Sequence, residues 1–341
     1  VSRPARFNDV NNLWREAIYG LIRSPETRIG SRDGDVAGEI IGYRAALDAG
    51  EQRTLLTNET RALPAAYAAA ETLWYFSGEA CTAMIERYAP SYSRFSRPDG
   101  TSYGAYGSRL AESWSVSDVP DKPRSCVERV ISMLSKSPGS RQAVIALWHP
   151  HDLSVAEAGG CADIPCTLTW QFLVRGKKLH MLVNMRSNDA WLGLPNDVFA
   201  FTCFQRVVAS HLGVGVGLYI HQAGSLHLYE RDLEGACRAV GSKVWAEAQV
   251  PGHEWKLDDT LDSVKVAVEL ERELRVTGAL TEASAARIDA MGSMSKDLFL
   301  SCARKLTRGA FSPLPISRRI QCSISSSSQS RASSESPKET S

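Results

Sequence analysis

Apolar residues recur at helical spacing from Asn8 to Arg23, through Val10, Leu13, Trp14, Ile18, Leu21 and Ile22. That period predicts a helix with one buried face. Ala62 to Phe76 is alanine-rich and apolar nearly all round, which predicts a buried helix. Arg87 to Trp114, rich in Ser, Tyr, Gly and Arg, reads as loop. Helical period returns over Ser125 to Lys136, and Pro138-Gly139 ends it. Shorter runs follow, at Ala143 to Trp148, Thr167 to Val174 and Leu179 to Asn184, and each predicts a strand. Arg175-Gly176-Lys177-Lys178 joins the last two as a hairpin turn. Asp197 to Leu212 predicts a helix and Gly217 to His227 a strand. Asp232 to Gln249 and Leu261 to Arg275 predict two more helices. The mixture points to one α+β domain over residues 1–322. From Ser323 the chain turns serine-rich and cannot bury enough apolar surface to offset chain entropy, so residues 323–341 are expected to be a disordered tail.

Composition excludes little. The chain has 341 residues, 43% of them hydrophobic, and a net charge of +1, so neither a nucleic acid nor a membrane is required as partner. No apolar run is long enough to span a bilayer, and VSRPARFNDVNN lacks the apolar stretch of a secretory signal. A cytoplasmic protein is expected. The eight cysteines include no C-x-x-C pair, which favours free thiols over a disulfide framework. His149-Pro150-His151-Asp152 has no further ligand at a convincing spacing, so no metal is expected. Gly213-Val214-Gly215-Val216-Gly217 precedes a strand instead of following one, and reads as a turn and not a dinucleotide loop.

The candidate chemistry begins at Pro165-Cys166-Thr167. Alone, a cysteine at the start of a strand is more often core filler than a nucleophile. Arg186-Ser187-Asn188-Asp189 follows at the end of the next strand, and Leu192-Gly193-Leu194-Pro195-Asn196-Asp197 comes directly after. An arginine beside a cysteine favours the thiolate, the nucleophilic form.

Several blocks in this order resemble the thymidylate synthase family. They are Pro165-Cys166 with Gln171-Phe172, Arg186 to Pro195, and Gly224 to Tyr229. Upstream, Glu71 to Trp74, Tyr106-Gly107, Pro138 to Arg141 and, more weakly, Ser31 to Gly34 resemble further family blocks. The resemblance implies a large mixed β-sheet flanked by helices, with one sheet face forming a homodimer interface. It implies Cys166 as nucleophile at C6 of a pyrimidine nucleotide, and 5,10-methylenetetrahydrofolate as carbon donor. Arg32, Arg141, Arg186 and Ser187 would hold phosphate, with Arg141 reaching across the dimer. His227 and Tyr229 would bind the sugar, and Tyr106 would also line the nucleotide site. Asp189, Gly193 and Trp74 would face the folate. Glu71 would order water and move protons.

One departure bears on the substrate. The family has asparagine two residues after the GLP proline, and here that place is Asp197. A carboxamide matches the N3–H and O4 of uracil. A carboxyl can accept from N4 of cytosine and share a proton with N3. Aspartate here is the mark of the cytidylate hydroxymethylase branch, which lets water instead of hydride finish the reaction. Asn196 in place of an aromatic residue, Thr167 in place of a histidine, and Tyr92 and Phe95 in place of family tryptophans fit that outcome. Gln142 in place of a second arginine thins the phosphate clamp. Members of this branch act on dCMP in phages and on CMP in nucleoside-antibiotic biosynthesis. The Ala-, Arg- and Gly-rich composition favours CMP. The alternatives are a thymidylate synthase, a non-catalytic nucleotide- or RNA-binding relative, and an unrelated cysteine hydrolase.

Overall fold

A computed structural model describes residues 4–23, 25–26, 30–31, 34–51, 54–58, 60–111, 125–161, 163–241 and 255–308. The first part of the chain runs β1 (Ala5–Phe7), α1 (Val10–Arg23), β2 (Gly30–Ser31), β3 (Gly34–Asp48), α2 (Ala65–Ser77), α3 (Ala83–Tyr88) and α4 (Tyr106–Ala111). The middle runs α5 (Cys126–Lys136), β4 (Val144–Ala146), α6 (Pro150–Ala158), β5 (Thr167–Arg175), β6 (Lys178–Asp189), α7 (Gly193–Leu212) and β7 (Gly215–Tyr229). Four helices follow: α8 (Glu230–Gly241), α9 (Leu261–Thr277), α10 (Glu282–Ala290) and α11 (Ser293–Arg308).

The strands form a mixed sheet in the order β1-β3-β7-β6-β5-β4, with β2 against the start of β3. The β5–β6 hairpin turns as the sequence predicts. Gly176 and Lys177 take φ of 56° and 58°, a left-handed pair that matches the strand twist. β6 and β7 run parallel, which sets Ser187 beside Ser225 and Asp189 beside His227. This pairing brings the two family blocks on β6 and β7 to one end of the sheet.

α7 packs against β6, β7 and α2 and is buried nearly all round, from Leu194 to Ala209. That explains why its sequence has so little amphipathic contrast. α1 lies on β3, and its Trp14 Nε1 donates to the Ala190 carbonyl at 2.7 Å. α9 and α11 pack on α2.

Several expectations need correction. β3 is a long strand, beside the short edge strand β1, where the sequence predicts none. Its run contains Gly38 and Gly42 and a register shift between Val36 and Gly38, which break the alternation that marks a strand. Arg87 to Trp114 is not uniformly loop. Residues 90–95 form a 3-10 helix and Tyr106-Gly107 open α4, while residues 112–114 lie outside the described chain. The strand expected over Ala143 to Trp148 pairs only at Val144–Ala146. His149-Pro150-His151-Asp152 is the start of α6: Pro150 fills the first turn, and Asp152 pairs with Arg109 at 2.8 Å. Helix α7 begins at Gly193, not Asp197, so the glycine turn is its first turn. The helix expected over Asp232 to Gln249 spans Glu230–Gly241, and residues 242–249 lie outside the described chain. So do Arg32 and the serine-rich residues 323–341.

Candidate active site

The segment before β5, the ends of β6 and β7, α2, α4 and the start of α7 converge on a cavity of about 950 Å³. Cys166, the residue before β5, is on its wall. The hairpin register holds it there, since the Arg186 N–H donates to the Cys166 carbonyl at 2.8 Å. The Arg186 side chain grips the same loop: Nε donates to the Pro165 carbonyl and Nη2 to the Ile164 carbonyl, both at 2.9 Å. A guanidinium is thereby fixed beside the cysteine segment. Tyr106, at the start of α4, accepts from the Thr167 N–H at 3.1 Å and also lines the cavity.

Glu71 of α2 also lines the cavity. Tyr67 donates to it at 2.8 Å, and Tyr75 also hydrogen-bonds it. Burial raises its carboxyl to about 7, against the lowering effect of the two tyrosines. Asp197, in the second turn of α7, is also buried. Burial, reinforced by the charge of Glu71, lifts its carboxyl well above the ordinary range. Asn188 Nδ2 donates to Asp197 Oδ2 at 2.7 Å. Two buried carboxyls with raised values thus share the cavity with Cys166.

Ser187, Asp189, His227 and Tyr229 all line the cavity, on adjacent strands or just beyond. His227 and Tyr229 meet edge to face at 5.0 Å. Asp189 Oδ1 accepts from the N–H groups of Trp191 and Leu192, at 2.8 and 3.1 Å, and so shapes the entry to α7. Trp74 contributes wall, with its ring buried and its Nε1 donating to the Cys81 carbonyl at 2.8 Å. Gly193 is also on the wall, and its lack of a side chain makes room for protein: a Cβ there would lie 2.8 Å from Asn188 Nδ2. Asn196 Nδ2 donates to the Leu192 carbonyl at 2.8 Å, while its buried Oδ1 accepts no hydrogen bond among the described residues.

The expected phosphate clamp is only partly assembled. Of Arg32, Arg141 and Arg186, only Arg186 reaches the cavity among the described residues. Arg141 is exposed and bonded through its backbone to Gln171, at 2.8 Å. Arg61, Arg94 and Arg231 line the cavity instead. Sequence reasoning missed these, together with Tyr67, Tyr75, Asp163 and Asn188. Asn188 falls at a position the family blocks leave open, and the arginines lie outside those blocks. The seven described cysteines are all free, and no cluster of three metal-ligating side chains occurs among the described residues. No described helix is long and apolar enough to cross a membrane.

A family profile described as thymidylate synthase matches residues 16–266. The thymidylate synthase of Bacillus phage phi3T is 30% identical over 169 residues, covering 48% of this chain and 56% of that protein. The thymidylate synthase of Francisella philomiragia is 26% identical over 221 residues, covering 62% and 78%. That of Bacillus licheniformis is 35% identical over 136 residues, covering 40% and 46%. The chain therefore spans about half the length of several curated relatives it matches. Among solved structures, the thermostable thymidylate synthase A of Bacillus subtilis superposes with a TM-score of 0.58 at 23% identity, over 69% of this chain and 85% of that one. The shared fold is that of this enzyme.

Proposed function

Because this chain belongs to the thymidylate synthase family, we propose that it transfers a one-carbon unit from 5,10-methylenetetrahydrofolate to C5 of a cytosine nucleotide. Water then completes the product, a 5-hydroxymethylcytidylate, and tetrahydrofolate is released. CMP is the favoured substrate over dCMP.

The observation that carries this reading is Asp197, a buried carboxyl whose ionisation burial and Glu71 disfavour, lining the same cavity as Cys166. A neutral carboxyl donates to N3 of cytosine through its hydroxyl and accepts from N4 through its carbonyl. With that hydroxyl at the N3 position, uracil would set its N3–H against the hydroxyl donor and its O4 against the carbonyl oxygen. The mismatch is worth on the order of 1–3 kcal/mol, or tenfold and more in preference.

The steps assign work to residues already placed. The Cys166 thiolate adds to C6, which makes C5 nucleophilic. The folate supplies the carbon electrophile, and Trp74, Asp189 and Gly193, all on the cavity wall, are assigned to its pterin. Glu71, titrating near 7, can hold or release a proton at neutral pH and order water at the ring. Asn196 supports water as the final nucleophile: its Oδ1 is a buried acceptor at a position where an aromatic wall would exclude water. His227 and Tyr229 are assigned to the sugar, and Ser187 with Arg186 to phosphate. Arg141 is assigned to the phosphate of a partner subunit in a homodimer. That assignment fits an exposed arginine that does not line its own cavity.

The test is a substitution. Asp197→Asn should weaken turnover of the cytosine nucleotide at least tenfold and create uracil-nucleotide binding. An unchanged preference ratio would refute the readout. A thymidylate synthase, the activity named for the relatives, would instead form dihydrofolate from dUMP, detected by absorbance.

A further inference from the structure

A line of buried polar side chains runs from the core to the cavity wall. Tyr219 and His221 alternate onto the inner face of β7, both with no solvent exposure. Tyr219 Oη lies 2.9 Å from His221 Nδ1, and His221 Nε2 lies 3.0 Å from Asn188 Oδ1. Asn188 Nδ2 then reaches Asp197 Oδ2. None of Tyr219, His221 and Asn188 has a place in the chemistry described above.

The line has a polarity. Asn188 offers its amino group to Asp197, so its carbonyl faces His221. An amide oxygen only accepts, so His221 carries its proton on Nε2. Nδ1 is then bare and accepts the Tyr219 hydroxyl. Burial depresses the imidazole to about 3, so it stays neutral with one proton, as this order requires. At the far end Asp197 Oδ2 is an acceptor, which leaves Oδ1 to carry the acid proton.

That placement matters because a neutral carboxyl is self-complementary to either ring. With its hydroxyl toward N3 it reads cytosine, and with its hydroxyl toward O4 it reads uracil. We infer that Tyr219, His221 and Asn188 are positioning residues that hold the Asp197 proton on Oδ1 and so commit the site to one of the two base edges. Resting on the cytosine reading above, the base docks with N3 at Oδ1 and N4–H at Oδ2. Gly193 belongs to the same device, since a side chain there would displace the Asn188 amide.

Two measurements test this. Nitrogen-15 NMR of histidine-labelled protein, with His221 assigned by its absence from a His221→Gln variant, should show a neutral ring protonated at Nε2. A ring protonated at Nδ1 reverses the line and overturns the inference. Tyr219→Phe removes one hydroxyl from the buried end and frees the ring to change tautomer. Its kcat/KM ratio for cytosine over uracil nucleotides should fall about tenfold, through KM of the cytosine nucleotide, with kcat nearly unchanged. Equal loss on both nucleotides would make the line merely structural. Wild-type preference for uracil alongside an Nε2 proton would instead sink the cytosine reading and leave the positioning line standing with the opposite dock.

Discussion

Asp197 and Glu71 are buried acids, and the charge of Glu71 opposes the ionisation of Asp197. The groups facing Asp197 are Glu71, Tyr67 and Tyr75 of α2, Asn188 and Asp189 of β6, Tyr106 of α4 and Tyr219 of β7. None of these is cationic, so nothing in that set lowers the carboxyl except the Asn188 amide. Cytosine readout needs a proton on Asp197 or on N3. KM for the cytosine nucleotide should therefore rise with pH through the elevated Asp197 value, while Asp197→Asn should abolish that limb. Glu71 makes a second, separate expectation. Its folded value of about 7 lies above the unfolded one, so its favourable contribution is complete below about 4.5 and is lost as pH rises to about 7. Glu71→Gln should remove a penalty of roughly 3 kcal/mol at pH 8 and flatten the pH dependence of Tm. A variant that melts in parallel with the wild type at every pH would contradict the burial argument. Cys166, Asp189 and Asp197 were legible in the sequence because motif spacing carries them. Asn188 and His221 were not, because their importance comes from hydrogen bonds made across strands, not from chain neighbours.

At the scale of elements, β6 and the first two turns of α7 build most of the site. β6 places Arg186 to Asp189, and the turn into α7 swings Asp197 back toward Asn188. Pro195 fits the first turn of α7 because amide groups there have no helical partner to bond. Gly193→Ala separates local propensity from packing. Alanine in a helix gains up to about 1 kcal/mol over glycine. A Cβ here meets Asn188 Nδ2 at 2.8 Å and Asp197 Oδ2 at 3.6 Å. Tm should change little, while KM for the cytosine nucleotide should rise several-fold. An unaffected KM would show that Gly193 is not needed for the Asn188 amide. The β5–β6 hairpin was readable because its turn residues fix the geometry. β3 was not, because its glycines and register shift erase the period, and its place depends on pairing with β7.

At the scale of the whole molecule, α9 and α11 brace α2, the helix that carries Glu71. The brace includes a buried polar group. Glu271 has no exposure, pairs with Arg275 at 3.0 Å and accepts from Tyr88 at 2.8 Å. Removing the cation strands a buried carboxylate, which typically costs about 3–5 kcal/mol. Arg275→Met should lower the denaturation midpoint accordingly and, by loosening α2, reduce activity before the chain unfolds. A midpoint within experimental error of the wild type would remove α9 from the support of the site. This part of the molecule was the least legible, because its helices look like any amphipathic pair until α2 is seen beneath them. The central claim concerns the reaction itself and is tested on its products. Incubate the protein with 5,10-methylenetetrahydrofolate and CMP, dCMP or dUMP, and weigh the nucleotides by mass spectrometry. The expected result is CH2O added to a cytosine nucleotide, strongest with CMP, with tetrahydrofolate released. Modification of dUMP alone, by CH2 with dihydrofolate formed, would contradict it.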